Sequence, residues 1–131
     1  MKYLCLIYEN EQNWSHYTKN QGDSMMAEYG AFTQDIQKSG HRIGGEALQP
    51  THTATTVRVR NGKVSTTDGP FAETKEQLGG YYVIEAADRD EAIRVAAKIP
   101  GAWIGCVEVR PIADDARTVE ILDFATTDAP R

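Results

Sequence analysis

The sequence predicts an α+β domain with a ferredoxin-like βαβ repeat and an antiparallel sheet. Two observations favour this fold class. The elements follow one another as strand, helix, strands with a hairpin, strand, helix and strand, which is a duplicated βαβ pattern. The chain has 131 residues, a length that suits one core without metal or disulfide support.

The first predicted strand runs from Lys2 to Tyr8 and is apolar on both faces. Such a strand has to be covered on both sides. The two helices of the repeat cover only one face of a sheet, so three apolar side chains of this strand stay uncovered in a single chain. Packing of two sheets face to face resolves this, and we therefore expect a homodimer.

The first long helix is predicted from Asp23, with Asp23 or Ser24 as its cap and Gly40 after its end. Its apolar residues are spaced for one helix face, and they are Met25, Tyr29, Phe32 and Ile36. The polar stretch 9–22 before it has no clear period and predicts a loop. Its side chains are candidates for a lid over a pocket, and they include Trp14, His16 and Tyr17.

A β-hairpin is predicted in the middle of the chain. Residues 54–60 alternate, Asn61-Gly62 is the preferred pair for a two-residue turn, and residues 64–67 return antiparallel. Residues 80–86 are rich in tyrosine, valine and isoleucine and predict a further strand.

The second helix is predicted to begin at Asp88, with Glu91 in a capping box. Its inward side chains should be Ala92, Ile93, Ala96 and Ala97, and Pro100 should end it. The last strand is predicted over residues 104–110. Residues 1–112 thus form the domain, and residues 113–131 are an extension whose four large apolar side chains favour docking on the same or a partner subunit over a frayed tail.

Composition and charge exclude several classes of function. The net charge is −5 and the basic residues are scattered, which argues against a nucleic-acid partner. The longest apolar run, residues 3–8, is too short for a membrane span or a signal-peptide core. We therefore expect no membrane partner and a cytoplasmic location, with Cys5 and Cys106 as buried, reduced thiols that could be neighbours without being bonded.

The densest group of titratable and turn residues lies in residues 67–82. One interpretation is structural: Asp68 stabilises a turn, Phe71 fills a gap in the core, and Glu73 and Lys75 belong to a solvated loop. The other is functional, because a carboxylate that is held by a rigid Gly-Pro turn beside an aromatic ring can act as a general acid or base.

The run Asp68-Gly69-Pro70-Phe71 and its continuation to Tyr82 resemble the DGPF subfamily of YCII-related proteins. Residues 44–50, 54–58 and 107–111 carry the resemblance as well, and it covers about residues 1–112. It implies a dimeric α/β-barrel type of ferredoxin-like fold but no established reaction. It also implies genes next to extracytoplasmic-function sigma factors, and distant relatives that resemble dehydrochlorinases and muconolactone isomerases.

The chain departs from one feature of the related YciI-like branch, in which a histidine on the first helix and a nearby aspartate are the suspected acid/base pair. Tyr29 stands approximately in the place of that histidine. A His-Asp pair therefore does not carry over, and Asp68 would need another partner.

Other candidate residues are few. His41 and His52 could reach a cleft, although lone histidines more often lie on the surface, and the three histidines lack the spacing of a metal site. Arg58 and Arg60 share one face of the hairpin, and near Glu46 and Asp68 they could bind a small organic acid or form ion pairs across a dimer.

Two hypotheses follow. The first is a cofactor-free lyase or isomerase in which Asp68 transfers a proton, Arg58 holds an anionic compound and Tyr29 or Tyr81 orients it, with Glu46, Phe71, Glu73, Lys75 and His41 around it. The second is a binding or regulatory module that presents a surface to a protein such as a sigma factor, with no enclosed pocket near Asp68.

Overall fold

A four-stranded sheet and a separate two-stranded ribbon make up the β-structure of the protein. The computed structural model describes residues 1–113. In chain order the elements are β1 (Lys2–Glu9), α1 (Gln12–His16), α2 (Lys19–Lys38), β2 (Arg42–Ala47), β3 (Thr55–Arg60), β4 (Lys63–Asp68), β5 (Gln77–Glu85), α3 (Arg89–Ala96), α4 (Gly101–Ile104) and β6 (Cys106–Pro111).

The main sheet has the strand order β2-β5-β1-β6, and all its neighbouring strands are antiparallel. This order places the first and last strands side by side, as the predicted βαβ repeat requires. The α+β prediction is confirmed. The predicted docking segment at residues 119–124 lies outside the described residues.

The helices cover one face of this sheet. Along β1, Tyr3, Cys5 and Ile7 are buried, whereas Leu4, Leu6 and Tyr8 between them are only half-buried. The buried side packs with Phe32 and Ile36 of α2, Ile84 of β5 and Ala92, Val95 and Ala96 of α3. The opposite side, here called the open face, presents Leu4, Leu6, Tyr8, Tyr81 and Val83. Within residues 1–113, the helices therefore cover only one of the two apolar faces of β1.

The first long helix starts four residues earlier than the prediction placed it. Thr18 is the cap of α2: its hydroxyl accepts the Gln21 N–H, and the Gln21 side chain accepts the Thr18 N–H in return. This capping box satisfies two backbone donors, so the polar residues that follow become the exposed side of a helix and not a loop. A further short helix, α1, lies within the stretch that was predicted to be irregular.

The second helix has the predicted cap but a different buried face. The Asp88 carboxylate accepts the Glu91 N–H at 2.9 Å, whereas the Glu91 side chain reaches the N–H of Ala87 and so does not complete a capping box. Ile93 is 43% exposed. The buried residues follow the helical spacing 92, 95, 96 and 99. The next residues form α4, so the last strand begins at Cys106 and not at residue 104.

The predicted hairpin is present as the ribbon, defined here as residues 55–68 with β3 paired to β4. Asn61 and Gly62 both have positive φ angles, 54° and 74°, as a two-residue turn with the twist of the strands requires. Nearly all its side chains are exposed.

The two cysteines lie on opposite sides of the sheet. Cys5 pairs with Val109 across the strands and is buried, and burial raises its pKa to about 11. Cys106 pairs with Tyr8 and is exposed. The prediction of two buried thiols was therefore wrong for Cys106, because it falls on the open face at the end of an edge strand. No helix within residues 1–113 combines the length and the apolar character that a membrane crossing needs.

Candidate active site

The DGPF segment lies at the base of the ribbon and is exposed. Asp68 ends β4 opposite Thr55, and its side chain is open to solvent. Phe71 is 82% exposed, so it does not shield Asp68 as the functional interpretation supposed. Glu73 and Lys75 are exposed as well. Arg58 is exposed on β3 across from Ser65. Within residues 1–113 of a single chain, these side chains do not enclose a pocket.

Tyr81 and Glu46 come together on the open face. They are directly opposite in the β5–β2 pair, and Leu6 is the neighbour of Tyr81 on the other side. Tyr81 is half-buried and Glu46 is exposed. The sheet thus brings two predicted site residues together, on a surface that the helices leave uncovered.

His41 is held between two helices. Its Nδ1 lies 2.6 Å from the Ser39 hydroxyl and its Nε2 lies 2.6 Å from a Glu91 carboxylate oxygen. Because an ionised carboxylate can only accept, Nε2 donates its hydrogen to Glu91, while the Ser39 hydroxyl, which also lies 3.2 Å from Ile36 O, hydrogen-bonds with Nδ1. Both ring nitrogens are therefore used to tie the end of α2 to the start of α3.

This contact predicts a pH dependence of stability. The His41 hydrogen bond, aided by the Ala87 N–H, lowers the pKa of Glu91 from its ordinary 4.5. A carboxyl whose pKa is lowered by folding stabilises the folded state above its unfolded pKa, and this contribution disappears as the pH falls through the folded pKa. We expect Glu91→Gln to lower the free energy of unfolding near neutral pH and to have progressively less effect below pH 4.5. Denaturant titrations at several pH values measure this, with the exposed Glu76→Gln as control; equal losses at neutral and acid pH would contradict the prediction.

A buried carboxylate that the sequence analysis missed lies at the end of β1. Glu9 continues the alternation of Tyr3, Cys5 and Ile7 and so faces the helices, where it is 7% exposed. The Trp14 indole N–H of α1 donates to its Oε1 at 2.5 Å. Its Oε2 is inaccessible to water and has no hydrogen-bond partner among residues 1–113. Buried polar atoms are nearly always paired, so this oxygen is a candidate for an interaction with a ligand or a water molecule.

Tyr29 lies beside this carboxylate. Burial, followed by the negative charge of Glu9, raises the pKa of the Tyr29 hydroxyl well above its usual value. The hydroxyl therefore stays protonated and can donate a hydrogen bond. A Cβ atom added to Gly101 would lie 2.7 Å from it, and one added to Gly105 would lie 3.0 Å from the Glu9 Cβ, so only glycine at both ends of α4 permits this packing.

A surface cleft of about 380 Å³ lies along the exposed side of α2. It is lined by Tyr17, Asn20, Gln21, Ser24, Met25 and Glu28. Tyr17 links the cleft to the buried group, since its ring packs edge-on against Trp14 at 5.4 Å and its hydroxyl influences that of Tyr29. The acid/base group, defined here as Glu9, Trp14 and Tyr29, is thus connected through Tyr17 to a space that could hold a small ring compound.

Tyr29 is the one predicted catalytic residue in this group. Asp68 belongs to the separate ribbon and not to the helix-covered face of the main sheet, so it is not part of this group. The sequence signal that could have identified Glu9 is its position in the strand alternation. The side chains of residues 3, 5, 7 and 9 point to the same face, so Glu9 is expected on the buried side. No cluster of three or more metal-ligating side chains occurs in the part of the chain that the structure describes.

The sequence model of the YCII-related domain matches residues 1–115. The chain belongs to this family. A similar YCII-related chain is an uncharacterised protein of Rhizobium meliloti (strain 1021), 39% identical over 116 residues, which cover 86% of this chain and 93% of that protein.

A solved structure with a similar fold is 5-chloro-2-hydroxyhydroquinone dehydrochlorinase (TftG) from Burkholderia phenoliruptrix AC1100, in complex with 2,5-dihydroxybenzoquinone. The TM-score is 0.51 at 13% identity, with 88% of this chain and 97% of that chain covered. This similarity supports the α+β fold of the dimeric α/β-barrel type.

Proposed function

We propose that this YCII-related protein is a cofactor-free acid/base enzyme, a lyase or an isomerase, that acts on a small organic compound. The observation that carries the proposal is the buried Glu9 carboxylate, with one oxygen fixed by Trp14 and the other unpartnered, next to the protonated Tyr29 hydroxyl. Glu9 would accept the proton that the substrate loses, and Tyr29 would stabilise the negative charge that develops.

The aromatic surroundings favour a ring compound. Tyr17 lines the cleft and its ring packs edge-on against Trp14, so an aromatic surface is available to a flat ligand. The bound 2,5-dihydroxybenzoquinone of the structurally similar dehydrochlorinase is a compound of this size. We also expect the substrate to be anionic, since the exposed side chains of Arg58 and Lys75 could attract a negative charge.

The experiment is a titration of the ¹⁵N-labelled protein with 2,5-dihydroxybenzoquinone, coupled to a test for exchange of its ring protons in D₂O. We expect amide shifts at Tyr17, Met25 and Glu28, together with exchange faster than in buffer. Shifts confined to the DGPF segment would move the site to Asp68. A compound that binds at the cleft without exchange would contradict acid/base catalysis on this class of ring.

We assign the chain to the DGPF subfamily on its Asp68-Gly69-Pro70-Phe71 motif, expect a cytoplasmic location, and propose that two copies pair through the open face. Leu4, Leu6 and Val83 are half-buried there and suit an apolar partner surface.

The second candidate is a non-catalytic binding module. The exposure of both Asp68 and Phe71 favours it, because an unshielded carboxylate suits partner contact better than proton transfer. A protein related to an extracytoplasmic-function sigma factor remains the expected partner in that case. Co-purification with the sigma factor, lost in Phe71→Ser and kept in Glu9→Gln, would support this candidate over the first.

A further inference from the structure

Three side chains at the end of α2 and the start of α3 are arranged as hydroxyl, imidazole and carboxylate. Ser39 Oγ lies 2.6 Å from His41 Nδ1, and His41 Nε2 lies 2.6 Å from Glu91 Oε1. When the neutral imidazole gives its Nε2 hydrogen to Glu91, Nδ1 is an acceptor and the Ser39 hydroxyl can donate to it. This order of groups, called the relay here, can activate a serine, because the imidazole removes the hydroxyl proton and the carboxylate holds the required tautomer.

The relay lies in a cleft of its own. All three of its side chains line a space of about 300 Å³, which shares no lining residue with the cleft along α2. Ser39 is exposed, whereas the side chains of His41 and Glu91 are 24% and 30% exposed. A compound in the cleft can therefore reach the serine while its base is partly shielded from water.

The charge of this cleft favours a neutral compound. The carboxylates of Glu85 and Glu91 line it, and no lysine or arginine side chain does so within residues 1–113. Like charges repel, so an anionic compound is disfavoured. The volume lies at the lower end of the range for ligand pockets, which suits a small molecule.

The backbone beside Ser39 limits the reaction further. The N–H groups of residues 39, 40 and 41 already donate to carbonyl oxygens of α2, at 3.1, 3.2 and 2.9 Å. They are therefore not free to bind the oxyanion that forms when a serine attacks an ester. Without help from these donors, the ester needs a good leaving group, such as a phenoxide.

We propose that Ser39 is a nucleophile that takes the acyl group of small neutral aryl esters, with His41 as its base and Glu91 as a positioning residue. Ser39 Oγ forms a bond to the ester carbonyl carbon, and its proton passes to His41 Nδ1. The bond from that carbon to the aryl oxygen breaks, and the phenoxide takes the proton from Nδ1. Water then hydrolyses the acyl-serine, with His41 accepting and returning the proton in the same way. This activity is separate from the one proposed for Glu9.

The first test is the reaction of the full chain with para-nitrophenyl acetate at neutral pH, measured as nitrophenolate release and by peptide mass spectrometry. We expect acetylation of Ser39. His41→Gln should lower the rate of this acetylation by about 10²-fold or more, the usual contribution of a general base. Ser39→Ala should remove the label from this position.

The second test addresses Glu91. A glutamine amide can donate to Nε2, which would leave the hydrogen on Nδ1 and prevent it from accepting the Ser39 proton. We expect Glu91→Gln to lower the acetylation rate and to move the ring hydrogen of His41 from Nε2 to Nδ1. The ¹⁵N chemical shifts of the imidazole distinguish these two tautomers, and a purely structural role of Glu91 would not exchange them.

The controls are matched to the residue types of the relay. His52→Gln and Ser65→Ala change exposed residues outside the cleft and should leave the rate of Ser39 acetylation unchanged. A ring-carboxylated analogue of the same ester should react at least about tenfold more slowly, because two carboxylates line the cleft. Circular dichroism of each variant shows that it is folded.

Acetylation that is confined to lysine side chains, with Ser39 unlabelled in the native chain, would overturn the proposal. A Ser39 label that forms at the native rate in folded His41→Gln would do the same, because the hydroxyl would then react without its base. An unchanged rate and an unchanged tautomer in Glu91→Gln would overturn the role of Glu91.

Discussion

Glu9→Gln is expected to lower the turnover rate by about 10²- to 10⁴-fold, the usual contribution of a general base. Glutamine has the size of glutamate and can still accept the Trp14 indole N–H, so the fold and the cleft should persist. It cannot accept a proton from a substrate. The measurement is the rate of proton exchange or elimination with a compound that passes the titration described above, with the effect in kcat and not in KM.

Two further variants make this test specific. Tyr29→Phe removes only the hydroxyl and should lower the rate by a smaller factor, since it supports the reaction without holding the proton. Asp35→Asn removes an exposed carboxylate of the same helix that does not line the cleft, and it should leave the rate close to the native value. Full activity in Glu9→Gln together with inactivity in Asp68→Asn would transfer the role of base to the DGPF segment.

Ile84→Ala is expected to lower the free energy of unfolding by about 2–5 kcal/mol, the range for such truncations in a packed core. Ile84 is fully buried in β5, one of the two central strands, and it packs between α2, α3 and β1. The methyl groups that are lost leave a cavity that the surrounding strands cannot close. Urea denaturation followed by circular dichroism measures the effect.

The matched control is Ile93→Ala on α3. Ile93 is the same residue type but 43% exposed, so its truncation should cost less than about 1 kcal/mol. If the two variants lost equal stability, the assignment of the buried face of α3 and the sheet would be wrong.

The fold was predictable because its signals are local or periodic. The two-faced apolar strand, the Asn61-Gly62 turn and the Asp88 cap each determine their element from a few neighbouring residues. The start of α2 was missed because its cap, Thr18, stands in a polar stretch with no apolar period. The predicted inward stripe of α3, residues 92, 93, 96 and 97, is rotated relative to the observed one, residues 92, 95, 96 and 99, so Ile93 and Ala97 are exposed and Val95 is buried.

The candidate site was less predictable, since it depends on contacts between distant elements. Glu9 follows an apolar strand and looks like the first residue of a loop, yet α1 and α4 bury it. Asp68 and Phe71 belong to one distinctive four-residue motif. The motif alone does not show whether the rest of the chain shields these two side chains from solvent. His41 finds its partner fifty positions away in Glu91.

The segment between β2 and β5, which contains the ribbon, has a hydrogen bond between its two ends. Leu48 N–H donates to Gly79 O at 2.9 Å, immediately beyond the last β2–β5 pair, Ala47 with Gly80. The chain therefore leaves and re-enters the sheet at neighbouring positions, as it would for a short hairpin. A change in the length of residues 49–76 therefore need not alter the strand order of the main sheet, because the strands on both sides of this segment are held by their own pairing.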